Sequence, residues 1–182
     1  MLIDELKNIA RNNGIVGAGG AGFPAYAKMT EKADTVILNC VECEPLLKLH
    51  RQLLATHTEE IIQMLDEVRE SFGAKEAVIG IKSEYVTTIK AIEEVIGDFP
   101  NVRICALKAA YPMGDEVVLI YEATGRVIKP GGLPIDENVV VYNVETMYNL
   151  YRAVHLNIPV TNKLVSIVGE IDHPLTVRWE QP

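Results

Sequence analysis

The stretch most suggestive of chemistry lies near the start of the chain, where Gly14 and four further glycines occupy nine residues. Three of them, Gly17, Gly19 and Gly22, have the spacing G-x-G-x-x-G of dinucleotide-binding loops. Glycine allows backbone N–H groups to approach a phosphate or a flat ring that a Cβ atom would hold away. This spacing favours a loop that binds a nucleotide-like ligand.

The residues before this loop differ from those of a dinucleotide-binding fold, in which a strand leads into the glycines. Apolar side chains recur at helical spacing from Leu2 to Ala10, and Gly14 stands where that helix would end. Only two residues then separate Gly14 from Gly17. An NAD-dependent dehydrogenase, with Glu42 binding the ribose, stays open as an alternative that requires a strand before Gly17.

A second polar stretch follows a strand-like apolar run and offers one amide and two carboxylates, those of Asn39, Glu42 and Glu44. Such groups suit ring nitrogens, ribose hydroxyls or an amide ligand. A solvated acidic loop explains the same residues equally well. Cys40 and Cys43 lie in this stretch as a C-x-x-C pair, and we expect reduced thiols without a metal, because no second pair exists.

Two further segments pass from a strand into a helix. Gly114 and Asp115 stand at the start of one helix, where a carboxylate would interact with the free N–H groups or face a ligand. Asn143 and Thr146 begin another helix and fit an N-cap arrangement. The four histidines show no metal-ligand spacing and are assigned to the surface, and the phosphate-binding pattern G-x-x-x-x-G-K-[ST] is absent.

Composition limits the class of protein. The chain has 182 residues, 48% of them hydrophobic, and a formal net charge of -8, which argues against a nucleic-acid partner. No apolar run reaches the roughly 20 residues of a membrane-spanning helix, and the acidic, amphipathic N-terminus is unlike a secretory signal. We therefore expect a cytoplasmic chain of one main domain.

The order of the elements predicts an α/β fold of the Rossmann-like, three-layer type, with a mostly parallel sheet preceded by a helix and the glycine-rich loop. The segment 46–72 reads as helix-rich, with Thr56 and Glu59 spaced as a capping box. The loop 126–138 is long enough to form a lid or a strap. Strands are predicted at 35–39, 77–81, 102–107, 139–142 and 164–168, and helices at 25–32, 85–96, 114–124 and 145–154. Ligands of such sheets bind at the carboxyl ends of the strands, which points to the loops that begin at Asn39, Lys108 and Tyr142.

Six motifs, taken together and in order, resemble the flavin-binding fold shared by RnfC and the FMN subunit of respiratory complex I. The resemblance is strongest to RnfC-type proteins, including the RnfC-like electron-transfer protein associated with proline reductase. It covers roughly residues 14 to 168. The motifs are Gly17–Pro24, Asn39–Pro45, Tyr111–Glu116, Leu119–Arg126, Pro130–Pro134 and Asn143–Thr146.

The resemblance implies a domain that binds FMN, accepts hydride from NADH and passes electrons to iron–sulfur clusters elsewhere in the protein or complex. It implies that the glycine loop lies against the flavin and the nicotinamide, that Phe23 lies near the adenine of NADH and that Lys28 hydrogen-bonds the flavin. The chemistry is that of the cofactor, so no catalytic acid or base is expected. The implied cofactor-binding residues are Gly17, Gly19, Gly20, Gly22, Phe23, Lys28, Asn39, Glu42, Glu44, Gly114, Asp115, Asn143 and Thr146.

The chain departs from the complex I pattern at Ala18, where that family has arginine, and at Val41, where it has aspartate. A non-catalytic scaffold that docks electron-transfer partners therefore stays open as an alternative. Residues 1–168 are expected to form the FMN/NADH-binding domain and 169–182 to begin a following β-domain, within a longer protein. Expected partners are other electron-transfer subunits, with a peripheral position at the inner face of the membrane in the full complex.

Overall fold

The computed structural model describes residues 1–44, 46–170, 172–173 and 175–180. Its central sheet contains four parallel strands, which are β1 (Thr35–Cys40), β2 (Glu76–Lys82), β3 (Val102–Leu107) and β4 (Val139–Asn143). Their order in the sheet is β3-β2-β1-β4. Pro45, which the sequence predicts to end regular pairing, lies outside the described residues.

Six α-helices accompany the strands, and none in the described part of the chain combines the length and apolar character needed to cross a membrane. The described residues also form three short 3-10 turns, at Ala25–Lys28, Ile96–Asp98 and Pro134–Glu137. The helices are α1 (Ile3–Asn12), α2 (Leu49–Thr56), α3 (Thr58–Phe72), α4 (Val86–Val95), α5 (Glu116–Thr124) and α6 (Val144–Leu156).

Both faces of the sheet are buried, as expected for parallel strands. Successive residues of β1 point to opposite faces, so Val36 and Leu38 join one apolar cluster while Ile37 joins the other. The first cluster contains side chains of α1, α2, α3, α4 and α6, and the second contains those of α5 and its following loop. The predicted α/β three-layer fold is therefore confirmed.

Two predicted helical segments differ from the structure. The segment 46–72 is helix-rich as predicted, since it contains α2 and α3, but the capping box of Thr56 and Glu59 is wrong. Thr56 ends α2 and donates its hydroxyl to the Gln52 carbonyl at 2.9 Å, while α3 starts at Thr58. The helix expected from Ala25 is only one 3-10 turn, which ends at Lys28.

The last predicted strand pairs outside the parallel sheet. It forms β5 (Asn162–Ile167), which pairs antiparallel with β6 (Leu175–Glu180) in a separate two-stranded sheet. Alternate residues of β5 are exposed, which suits a sheet with one open face. The expected division of the chain at residue 168 stays a prediction, and residues 171, 174, 181 and 182 of the tail lie outside the described part.

The point where the strand order reverses lies between β1 and β4. The chain proceeds from β1 outward to β2 and β3 and then returns to pair β4 with the opposite edge of β1. Asn39 and Asn143 are direct neighbours in this register, at the carboxyl ends of their strands. A crevice at such a switch point is the usual ligand site of open α/β sheets.

The start of α5 provides a test of local stability. Asp115 caps this helix by accepting hydrogen bonds from the N–H groups of Val117 at 3.0 Å and Val118 at 3.2 Å. We predict that Asp115→Ala lowers the free energy of unfolding by about 1 kcal/mol in urea denaturation. Asp115→Asn retains an acceptor and should lose less than half of that, so equal losses would contradict the capping role.

Candidate functional site

The glycine-rich loop covers the crevice between β1 and β4 and encloses a cavity of about 220 Å³. The cavity brings together eight of the thirteen residues expected from the sequence. Ala21, Ala25, Glu116, Val141 and Tyr142 also line it and were not predicted. The eight predicted residues in the lining are Gly17, Gly19, Gly20, Phe23, Lys28, Asn39, Asn143 and Thr146.

The glycine loop is pinned at its base. Gly17 donates its N–H to the Phe23 carbonyl at 2.8 Å, and Val16 forms an isolated antiparallel bridge with Pro24. The Thr146 hydroxyl accepts the N–H of Ala18 at 2.9 Å and contacts the Val16 carbonyl at 3.4 Å. The loop is therefore a small closed turn attached to the first turn of α6. A helix, and not a strand, precedes it, which removes the NAD-dehydrogenase alternative.

The tip of the loop retains unused donors. Among the described residues, the N–H groups of 19–22 make no well-aligned hydrogen bond to a protein acceptor within 3.5 Å, and these residues are exposed. A Cβ atom on Gly20 would meet nothing within 4 Å, so the space above this residue is open. A run of free backbone N–H groups is a suitable site for an anion or an electron-rich ring.

At two of the predicted glycines, the absence of a side chain makes room for neighbouring protein atoms and not for open space. A Cβ atom on Gly19 would lie 2.5 Å from Nδ2 of Asn143, so the loop packs directly on that amide. A Cβ atom on Gly114 would lie 2.3 Å from the Val41 carbonyl oxygen and 2.7 Å from Sγ of Cys43. Gly114 therefore allows the loop before α5 to close against the segment after β1.

The two neighbouring asparagines hold the loops that leave the sheet. Asn39 donates Nδ2 to the Gly114 carbonyl at 3.0 Å and accepts the N–H of Val41 at 3.0 Å. Asn143 caps α6 because its Oδ1 accepts the N–H of Glu145 at 2.9 Å. Both amides thus shape the base of the cavity in addition to lining it.

A charged group stands at the rim of the cavity. The Lys28 ammonium lies 3.6 Å from Oε2 of Glu116, 3.3 Å from the Val141 carbonyl and 6.0 Å from the centre of the Phe23 ring. The sequence pattern missed Glu116, because an acidic residue in the first turn of a helix is explained by the helix dipole alone. The side chain of Asp115 caps the helix, whereas Glu116 lines the cavity.

Five predicted residues do not line the cavity, and Glu42 is the most informative of them. Its side chain is buried, accepts the N–H of His50 at 2.8 Å and lies 3.4 Å from Nε of Arg51. Burial raises the pKa of this carboxyl, against the opposing effect of these two partners. The others outside the lining are Gly22, Glu44, Gly114 and Asp115, all of which except Gly114 are exposed.

The assignment of every histidine to the surface is wrong for His50. Its ring nitrogens lie 3.1 Å and 3.4 Å from Nδ2 of Asn143, behind the cavity lining. Burial, together with the nearby Lys163 ammonium, lowers the pKa of His50 to about 4. The position of α2 produces this contact, and no local sequence pattern signals it.

A larger apolar cavity of about 550 Å³ adjoins the first one along the open edge of β4. The two cavities share Phe23, Lys28, Glu116 and Val141. The segment 133–135 lines its far side, within the long loop expected to be a lid or a strap. Arg126 ties the base of that loop, since its Nη1 donates to Oδ1 of Asp34 at 2.6 Å and to the Glu137 carbonyl at 2.8 Å.

The packing of Gly19 leads to a testable difference between two neighbouring glycines. Gly19→Ala places a methyl group against the Asn143 amide, so the free energy of unfolding should fall by about 1 to 3 kcal/mol. Gly20→Ala adds the same methyl group to open space and should change this free energy by less than about 0.5 kcal/mol. Urea denaturation of both variants distinguishes them, and equal stabilities would show that the Gly19 contact is not tight.

The lowered pKa of His50 predicts a pH effect on stability. Between pH 6.5 and about 4, the unfolded chain binds a proton at His50 that the folded chain does not, so stability falls as the pH falls. His50→Gln removes this proton uptake on unfolding, while the nearby charged residues Glu42, Arg51 and Lys163 are retained. The unfolding free energy of the variant should fall less steeply from pH 6.5 to 4.5, and identical slopes would contradict the prediction.

Comparison with known proteins shows which family has this fold and these motifs. The family described as the Nuo51 FMN-binding domain matches residues 10–152. The chain is 39% identical over 174 residues to cobalamin reductase PduS of Salmonella typhimurium, covering 96% of this chain and 38% of that protein. It is 33% identical over 180 residues to one subunit of the Na+-translocating ferredoxin:NAD+ oxidoreductase complex of Acetobacterium woodii, covering 96% of this chain and 41% of that protein.

A solved structure of an NAD+-reducing NiFe hydrogenase in the H2-reduced state has the same fold, with a TM-score of 0.81 at 23% sequence identity. The match covers 98% of this chain and 37% of the hydrogenase chain. The chain thus spans about two fifths of the length of the relatives it matches. The resemblance expected from the six motifs is confirmed at the level of the family, and the chain belongs to the Nuo51 FMN-binding domain family.

Proposed function

We propose that this chain is the FMN-binding domain of an NADH-linked electron-transfer protein. The observation that carries the proposal is the glycine loop, whose tip holds unused N–H groups over the switch point between β1 and β4. Because the family is described as an FMN-binding domain, we propose a flavin as the ligand of that crevice. The other residues of the cavity are consistent with it.

The donor set fits a flavin mononucleotide. The N–H groups of the loop tip and the Lys28 ammonium are donors that suit the carbonyl oxygens of the ring or an anionic phosphate. The open space above Gly20 permits a flat ring to approach the backbone. Asn143 and Thr146 begin α6, so the positive end of its dipole lies beside the cavity and favours a negatively charged group there.

FMN, when bound, supplies the acceptance of a hydride and the release of single electrons. The chain then needs only to orient two ligands and to exclude water from between them. The adjoining cavity is suited to the dinucleotide, because it opens from the shared rim of Phe23, Lys28 and Glu116 and has a largely apolar lining. In this proposal, Phe23 contacts the adenine end of NADH.

The neutral residues at positions 18 and 41 limit what the chain offers to NADH. The N–H of Ala18 is already bonded to Thr146, and Val41 is buried in the apolar cluster under α5. Neither position supplies a charge to the dinucleotide, so its orientation depends on Lys28, Glu116 and Phe23. This is the observation that favours the second candidate, a domain of the same fold that docks partners without oxidising NADH.

The acceptors and partners are proposed from the relatives. Two of them are named as a cobalamin reductase and as a subunit of a ferredoxin:NAD+ oxidoreductase complex. In line with the resemblance of the six motifs, we propose that electrons leave the flavin for iron–sulfur centres in another part of the protein or of its complex. The partners would be other electron-transfer subunits, with the assembly in the cytoplasm or at the inner face of the membrane.

An FMN titration of the purified chain, followed by anaerobic addition of NADH, tests the proposal. We expect saturable quenching of flavin fluorescence and then bleaching of the flavin absorbance.

Lys28→Met should weaken FMN binding by roughly tenfold, because it removes a charged hydrogen-bond donor. Lys75→Met is the matched control, since Lys75 is 83% exposed and outside the cavity lining, and it should leave the affinity unchanged.

Each other outcome has a distinct meaning. Quenching without bleaching would indicate a flavin domain that receives electrons from a donor other than NADH. An absence of quenching, in a chain that is folded by circular dichroism, would contradict flavin binding and support the scaffold candidate.

A further inference from the structure

We propose that His50 is a positioning residue for the flavin site, because its imidazole holds the Asn143 amide in the orientation that shapes the base of the cavity. This inference rests on the proposed function and concerns a residue outside the cavity lining. Neither the six motifs nor the family match assigns a role to His50. The inference is based on the contacts on the three sides of the Asn143 side chain.

The oxygen of the Asn143 amide is committed to α6. Oδ1 accepts the N–H of Glu145 at 2.9 Å, which fixes the amide plane and leaves Nδ2 on the opposite side. A flipped amide would present NH2 to the N–H of Glu145 and lose the cap. The nitrogen must therefore find an acceptor away from the helix.

His50 is the acceptor on that side. Nε2 and Nδ1 of His50 lie 3.1 Å and 3.4 Å from Nδ2 of Asn143, so the NH2 group lies against the imidazole ring, which can accept its hydrogen while the ring is neutral. In a doubly protonated ring both nitrogens carry hydrogen, so ring N–H donors would face the NH2 donor of Asn143. Burial and the Lys163 ammonium disfavour the protonated ring and lower the pKa of His50 to about 4, so the acceptor is present at neutral pH.

Gly19 closes the third side of the amide. Glycine at this position leaves room for Nδ2 of Asn143, because a Cβ atom on residue 19 would lie only 2.5 Å from that nitrogen. If the amide rotated towards the loop, it would therefore push against Gly19. The next residue, Gly20, faces the open cavity. The His50 contact keeps the amide away from the loop and keeps the loop in place.

The position of His50 is itself enforced by buried groups. Its backbone N–H donates to Oε1 of Glu42 at 2.8 Å, and the other oxygen of Glu42 lies 3.4 Å from Nε of Arg51. The Arg51 guanidinium in turn lies 4.4 Å from the centre of the Tyr85 ring. Glu42 therefore fixes the start of α2, and α2 delivers the imidazole to Asn143.

Two variants of His50 separate hydrogen bonding from packing. His50→Gln keeps an acceptor near the position of Nε2, whereas His50→Leu keeps volume and removes every acceptor. In the flavin-free chain, hydrogen exchange of the Asn143 side-chain NH2 is measured by 15N NMR, with the signals assigned from their loss in Asn143→Asp. We expect exchange to accelerate by roughly fivefold or more in His50→Leu and by less than about twofold in His50→Gln.

An FMN titration of the same variants gives the second readout. We expect the Kd to rise by roughly five- to tenfold in His50→Leu and by less than about twofold in His50→Gln. Thermal unfolding is recorded for both, so that a general loss of stability is recognised. Equal effects of the two substitutions on NH2 exchange or on Kd would overturn the proposal, because packing alone would then explain them.

The two proposals fail in different ways. If the wild-type chain binds no FMN, the proposed function is wrong. The proposed role of His50 in a flavin site is then wrong as well, whatever the NMR result. If the wild-type chain binds FMN and His50→Leu leaves NH2 exchange and Kd unchanged, only the role of His50 is overturned.

Discussion

The amide of Asn143 connects the elements that form the site, and the geometry of the cavity depends on it. It stands at the end of β4 beside Asn39 of β1, caps α6, packs on Gly19 of the glycine loop and contacts His50 of α2. One short side chain can make these contacts because the strands are parallel and end together at the same edge. Each contact restricts the others.

The rest of the structure supports this junction from two directions. On the side of α2, the buried Glu42 carboxylate and Arg51 fix the first turn of the helix. On the side of the second sheet, Lys163 of β5 donates to the Ala18 carbonyl at 2.9 Å and pairs with the buried Glu145 of α6. The glycine loop is thus tied both to the helix that follows β4 and to the small antiparallel sheet. A ligand bound under the loop would be sensitive to the position of that sheet.

Much of the fold follows from local pattern, because buried strands and amphipathic helices alternate along the chain. Ala77–Ile81 and Val102–Leu107 are predicted almost residue for residue, and the left-handed Gly73 and Gly125 end their helices as expected. The position of the two asparagines is predictable as well, since Asn39 and Asn143 lie at the carboxyl ends of parallel strands. The error at Thr56 arose because a capping pattern of Thr and Glu also occurs by chance across the junction of two helices.

The remaining features of the site depend on contacts between residues distant in sequence. His50 reaches Asn143 across 93 positions, and the sequence around His50 contains no signal of that contact. The sequence predicted Glu42 as a ligand-binding residue because carboxylates that follow strands often contact ligands. Its burial beneath α2 is set by tertiary packing, which the local sequence does not show. Gly19 lines the cavity, while the reason for the glycine is the Asn143 amide beneath it.

The central claim is that FMN binds under the glycine loop at the switch point between β1 and β4. Backbone hydrogen–deuterium exchange of the chain, measured with and without saturating FMN, tests it most directly. We predict that protection concentrates in residues 17–25 and 139–147, with little change on the outer face of α3. Protection confined to β5 and β6, or no protection of the glycine loop at saturation, would contradict it.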